Sequence, residues 1–325
     1  MACTWSDRST RSFAAVALGA AVFFAVVALG YVRRYSLPLV PALGIYFCFL
    51  GLVLLLLAAG FFSLRGAKAA IGLLFLPYLT YAAANGDFRL QALGKLVLLA
   101  SVPIGIFLLF PVRQRNRLTW QDAIAWTWLM VPVVLRWETG IWTKPVNLDF
   151  MARLFTLGVA VWSWLVLRGT PGAGYRFSFT LSDMREGLKH FLLFAVIAVP
   201  LGLLLHLSGW NPRWQGFWKF CVDYVTIFLF IAWLEEFFFR GILQNLLQQT
   251  LQYKVLAQTV ASIAFGLSHI LLAPAPNWRY VILASIAGWF YGGLFAATGT
   301  LMAPAMMHAL VDTVWRTWFG RGGGA

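Results

Sequence analysis

Apolar residues in this chain do not alternate with polar ones at the period of a half-buried strand or a surface helix. They collect into long blocks near 12–32, 37–62, 69–84, 95–111, 120–135, 150–167, 190–207, 222–247, 255–272, 280–298 and 301–319. About 20 apolar residues wound as a helix cross a hydrocarbon layer of about 30 Å. Lipid offers no partner to a backbone N–H or C=O, so a spanning segment must satisfy its own. The pattern predicts an all-α fold, a polytopic bundle of transmembrane helices. Block 120–135 is short and opens with Asp122, which puts the expected number of spans at nine to eleven.

The polar punctuation divides the chain. Its longest stretch, Arg168 to Lys189, begins with Gly169, Pro171, Gly172 and Gly174, then offers Asp183 and Glu186 as a capping box. We read 1–168 as an N-terminal multi-span module, 169–189 as a polar junction and 190–320 as a second membrane unit. Block 12–32 follows Arg8 and Arg11 and lacks a small-residue cleavage site, so it reads as a retained first span. Arg113, Arg115 and Arg117 form the densest basic cluster, which predicts a cytoplasmic loop there. The N-terminus, Arg65 and Lys68, and the junction fall on the same side. The expected location is a multi-pass position in a plasma membrane of bacterial type.

Composition agrees with this and removes other classes. Charged residues are 11% of the 325 and hydrophobic ones 61%, with mean hydropathy +0.78; soluble domains carry about 25% charged residues. A formal charge of +14 could suggest nucleic acid. The Lys and Arg residues, however, sit one to three at a time at block ends, as anchors beside lipid headgroups do, so nucleic acid is not an expected partner. Cys3, Cys48 and Cys221 are scattered without a CxxC and offer neither a disulfide framework nor a thiolate zinc site.

Charge inside the blocks is the informative signal. Blocks 12–32, 37–62 and 69–84 hold no acidic, basic or imidazole side chain, whereas the blocks after Phe230 hold Glu235, Glu236, Arg240, His269, His308 and Asp312. An Asp or Arg at a helix centre costs about 2.5–3.5 kcal/mol on insertion scales, so these groups must face one another or a wet cavity. On a helix, Glu236 and Arg240 are an i,i+4 pair in the better orientation, and Glu235 is turned about 100° away. Phe265 and His269, then His308 and Asp312, repeat the spacing; Pro304 suits the first turn of the last helix.

A carboxylate, two imidazoles and a guanidinium suffice for hydrolysis. Glu235 beside His269 could deprotonate a water. The Arg240–Glu236 pair would fix helix rotamers, and His308, oriented by Asp312, could donate to an oxyanion.

Glu-Glu-x-x-x-Arg, Phe-x-x-x-His and His-x-x-x-Asp, in that order on successive apolar helices, resemble the CAAX protease and bacteriocin-processing (CPBP, or Abi) family of intramembrane endopeptidases, which includes the prenyl-protein CAAX endopeptidase. Phe-Gly-Leu-Ser-His269 and Thr298-Gly-Thr-Leu ahead of Pro304 fit the same family. The resemblance covers about 185–320 and implies a glutamate-dependent protease acting on a membrane-associated or lipidated peptide, without an essential metal. Family members usually carry Asn at the position of Asp312; an ionised Asp accepts hydrogen bonds and cannot donate one.

Blander readings stand beside this one. Glu236 and Arg240 alone would be a structural ion pair, and either histidine alone a core imidazole. Phe237, Phe238 and Phe239 read as lipid-facing or packing residues, and His190 and His206 as interfacial. Trp120, Trp142, Trp210 and Trp278 read as an aromatic belt. Glu235, His269 and His308 could also hold zinc as two His and a carboxylate, although no HExxH is present. Embedded Glu, His and Arg also build the relays of a proton-coupled transporter, which would carry internal repeats not visible here. A non-proteolytic scaffold or immunity protein of the same family is the third alternative.

Overall fold

The computed structural model describes residues 7–61, 68–137, 139–177, 180–207 and 209–319. Cys3 and Arg65 lie outside them. Each of the eleven apolar blocks forms a helix. These are α1 Asp7–Tyr35, α2 Leu39–Phe61, α3 Ile71–Asn85 (whose first turns are 3₁₀), α4 Leu90–Leu109, α5 Trp120–Val134, α6 Met151–Arg168, α7 Leu181–Leu204, α8 Phe217–Leu251, α9 Lys254–Leu267, α10 Trp278–Thr298 and α11 Met302–Trp318. Among the described residues, seven helices are long and apolar enough to cross a membrane. The other four, α3, α5, α9 and α11, are helices of 14 to 17 residues, so the eleven blocks become seven long helices and four shorter ones.

The chain divides into two compact units, one of residues 1–115 and 119–170, the other of 116–118 and 171–325. In the first, α2 packs on α1, α3 and α6 around Ile45, Leu52, Leu56, Tyr78, Tyr81 and Phe155, all essentially buried. Trp142, expected in an interfacial belt, is fully buried edge-on to Tyr78 at 5.8 Å; Trp120, Trp210 and Trp278 are exposed. This unit carries its own buried charge. Asp122 closes a capping box with Thr119 at the head of α5, accepts from the Trp164 indole at 2.9 Å, and pairs with the Arg168 Nε and Nη2 groups at zero exposure of both side chains.

The second unit holds α7 to α11. Its first helix begins at Leu181, nine residues before the apolar block, because Thr180 and Asp183 cap each other's backbone N–H at 2.8 and 3.2 Å. Glu186, expected in that box, instead lies 3.6 Å from Lys189. Helix α8 is continuous over 35 residues but widens into π-turns at Phe228–Ala232 and Phe237–Gln244, on either side of Trp233–Glu236. Such turns insert a residue into the helical register and concentrate at functional sites.

Glycine sets how closely the last helices approach. A Cβ at Gly266 of α9 would lie 2.5 Å from the Val281 carbonyl oxygen and 2.0 Å from Ser285 Oγ, both on α10. On α10, Gly288 and Gly292 are four apart and lack the Cβ that would shield their carbonyls. Arg240 Nη2 donates to Gly288 O at 2.8 Å, and Gln244 Nε2 to Gly292 O at 3.0 Å. One face of α8 is thereby stitched to one face of α10, with the glutamate pair at the top of the seam.

Candidate active site

The middle of α8 presents two glutamates in different surroundings. Glu236 and Arg240 are fully buried. Arg240 Nη1 donates to Glu236 Oε1 at 3.2 Å, while Nε lies 3.2 Å from Oε2 as a charge contact without hydrogen-bond alignment. The guanidinium also lies 4.6 Å from the Phe265 ring centre and 5.3 Å from that of Tyr291. A desolvated charge on three sides of aromatic and carbonyl groups is the stable way to keep arginine inside an apolar bundle. Glu235 keeps 20% of its side chain exposed, in a cavity of about 70 Å³. At roughly 30 Å³ per water the cavity has room for at least two.

His269 sits beyond the end of α9, not within a helix as its spacing predicted. The helix stops at Leu267, and Ser268 and His269 fold back over its terminus. Its Nδ1 lies 2.8 Å from the Phe265 carbonyl oxygen. That oxygen can only accept, so Nδ1 carries the hydrogen and Nε2 of the neutral ring presents a lone pair. Nε2 lies 3.9 Å from Glu235 Oε2. The carbonyl is one of those a helix end leaves unsatisfied, which is why an imidazole four residues on is held there.

His308 stands in the second turn of α11, where Pro304 occupies the first. Its Nδ1 lies 2.9 Å from Glu236 Oε1, and its Nε2 is 3.8 Å from Glu235 Oε2 and 3.8 Å from Asp312 Oδ2. The carboxylate that orients this ring is therefore Glu236, not Asp312 as the sequence suggested. Glu236 Oε1 contacts Arg240 and His308 at once, which ties α11 to α8 through one oxygen, while Arg240 Nη2 ties α8 to α10 through the Gly288 carbonyl. Asp312 is 35% exposed on the cavity wall. All six predicted residues converge: the two histidines reach the same Glu235 oxygen from opposite rings, and that oxygen is buried without a protein hydrogen bond.

Phe265 is the packing hub, with its ring 4.9 Å from His269, 5.6 Å from His308 and 5.2 Å from Phe239. Phe237, Phe238 and Phe239 are wholly buried, so they pack rather than face lipid. His190 binds the Glu186 carbonyl at 2.8 Å and takes no part in the site. Tyr291, missed in the sequence, stacks on the His308 ring at 4.7 Å and 15° and lines the cavity beside Tyr280 and Trp315. The signal was available: Tyr280, Ala284, Ala287 and Tyr291 recur at helical spacing on an otherwise apolar span. A cavity of about 760 Å³ between α4 and α5 is lined mainly by apolar side chains and carries no titratable group.

Residues 217–314 match the family model described as type II CAAX prenyl endopeptidase, Rce1-like, a segment that contains all six residues. No curated protein and no solved structure matches the chain.

Proposed function

From the premise that this polytopic membrane chain belongs, through residues 217–314, to the CAAX protease family, we propose that it is an intramembrane endopeptidase in which Glu235 and His269 activate the attacking water. One observation carries the reading: Glu235 Oε2 lies 3.8–3.9 Å from two imidazole Nε2 atoms, at the edge of a cavity with room for water. A water between these atoms would reach each at hydrogen-bond length, since two contacts of about 2.8 Å meeting near a right angle span about 4 Å.

The steps follow from the donor and acceptor roles. Glu235 removes a proton from water as its oxygen bonds to the scissile carbonyl carbon. The carbonyl π pair moves to oxygen, giving a tetrahedral oxyanion. The C–N bond then breaks, and the proton held by Glu235 passes to the leaving nitrogen. His269 Nε2 accepts from the water and aims it. Glu236 and Arg240 keep the His308 ring in place. The substrate reading is a peptide bond of a membrane-associated or lipidated chain. The matched model's name makes a prenylated peptide the first probe.

Zinc fits this donor set by chemistry but not by spacing. Tetrahedral zinc with bonds of about 2.0–2.2 Å holds its donors about 3.3 Å apart. The corresponding distances here are wider, and among the described residues no three such groups form a metal-holding cluster. No step above is routed through a metal.

The test uses purified full-length protein in detergent with a hydrophobic or prenylated peptide. Cleavage should be lost in Glu235→Ala and His269→Ala with normal membrane insertion. Prolonged chelation should leave the rate unchanged. Cleavage retained by Glu235→Ala would refute the assignment, and activity lost to chelation but restored by zinc would refute the metal-free step.

A further inference from the structure

The start of α8 and the end of α11 enclose a second cavity in this unit, of about 190 Å³. The segment before α8 is fastened along the end of α11: Asn211 N donates to Trp318 O at 2.9 Å and Arg213 N to Thr317 O at 2.7 Å. Trp214 stacks on Trp318, with ring centres 5.7 Å apart at 23°. This pairing sets Arg213 against the turn that carries Arg316, and both arginines line the cavity together with Lys219. One carboxylate, Asp223, lines it too, and Lys219 takes both of its oxygens. Asp312, one turn before Arg316 on α11, lies 3.8 Å from His308. Among the described residues neither arginine has an ion-pair partner. Gly216, the N-cap of α8, lines the cavity as well; no side chain caps the helix there, and its first turn holds no acidic residue.

We propose that this cavity binds the phosphate of an anionic phospholipid headgroup. Three cations against one carboxylate leave the lining at a formal charge of +2. Two guanidinium groups brought together by backbone pairing repel each other, and a phosphate that accepts from both reverses the sign of that term. The uncapped N–H groups at the head of α8 add donors of the same sense. At roughly 30 Å³ per water the space equals about six waters, room for a phosphate and the first atoms of its substituents.

The surroundings favour a lipid over a free ion. Trp210, Trp214, Phe217 and Trp218 are all exposed at this end of the unit, as side chains are that sit at headgroup depth. Basic pockets between membrane helices suit anionic headgroups for the same reason. A zwitterionic headgroup brings its own cation into a cavity that already holds three. Inorganic phosphate meets the same donors but gains nothing from the exposed rings.

The test is binding to the full chain in detergent, so it does not depend on whether the chain cleaves peptides. Native mass spectrometry would count bound phosphatidylglycerol, with phosphatidylcholine of identical tails as the comparison. We expect one phosphatidylglycerol per chain, held about tenfold more tightly than phosphatidylcholine. Arg213→Gln and Arg316→Gln, both at exposed positions, should each weaken it about tenfold, to the phosphatidylcholine level. Lys254→Gln removes the same charge beyond the other end of α8 and should leave the affinity within twofold. Equal affinity of wild type for the two lipids overturns the proposal without any variant. So does an equal loss in Lys254→Gln, which would mark a general charge effect, or unchanged affinity in both arginine variants. Displacement of the lipid by an equal concentration of inorganic phosphate would show a free-phosphate site and overturn the lipid assignment.

Discussion

Gly266→Ala tests whether the closeness of α9 and α10 positions His269. The added Cβ would meet the Val281 carbonyl oxygen at 2.5 Å, against an ordinary contact of 3.4 Å or more. Rotation of the Ser285 hydroxyl relieves its 2.0 Å clash, but the carbonyl belongs to the backbone of α10 and its own hydrogen-bond ladder. The helices must therefore separate by about 1 Å locally, and overpacking of this kind costs typically 1–3 kcal/mol. The displaced segment carries His269 three residues later, whose ring is anchored to Phe265 O on the same helix and moves with it. A misplacement of about 1 Å near reacting groups can cost about 10² in rate. We expect Gly266→Ala to lower the thermal midpoint in detergent by several degrees and peptide cleavage by about two orders of magnitude. Gly105→Ala is the control, since a Cβ there meets nothing within 4 Å. It should leave cleavage unchanged and stability equal or slightly higher. Wild-type rate and midpoint in Gly266→Ala would refute the reasoning, because the contact would then be too soft to hold the imidazole.

Glu236→Gln keeps the shape of the shared oxygen but leaves Arg240 as an uncompensated buried charge. It should destabilise the protein by about 3–5 kcal/mol and abolish cleavage, read by denaturant titration beside the peptide assay; a stable, active variant would show that Glu236 does not anchor His308. Asp122→Ala removes the partner of Arg168 in the other unit. It should cost a similar amount of stability there, while kcat per folded molecule stays at the wild-type value, checked by normalising cleavage to monodisperse protein.

Much of this was legible from the residues. Every apolar block became a helix because a backbone in lipid has no alternative. The six embedded ionisable groups had to meet because separately they were too costly. What escaped reading was contact across the sequence. Glu236 and His308 are 72 positions apart, and spacing alone favoured Asp312, four residues from His308, as its partner. The Asp122–Arg168 pair spans 46 residues and sits in the half that seemed to carry no chemistry. Trp142 lies beside polar residues in the chain, yet Tyr78 and its neighbours enclose it. The start of α7 was missed because its first turns are amphipathic and read as a linker.

The length of α8 fixes the depth of the reaction. Glu235 lies 18 residues from one end of the helix and 16 from the other, about 25 Å along the axis either way at 1.5 Å per residue. An extended peptide arriving from the aqueous phase would have to thread seven or more residues to reach it. On the proposed reading, a chain already dissolved in the bilayer would avoid that threading. Water is then the scarce reactant. On the proposed mechanism each cleavage would consume one molecule from a chamber of about 70 Å³, so refilling that chamber would be a step of the cycle, and its rate would bound turnover however well the carboxylate works.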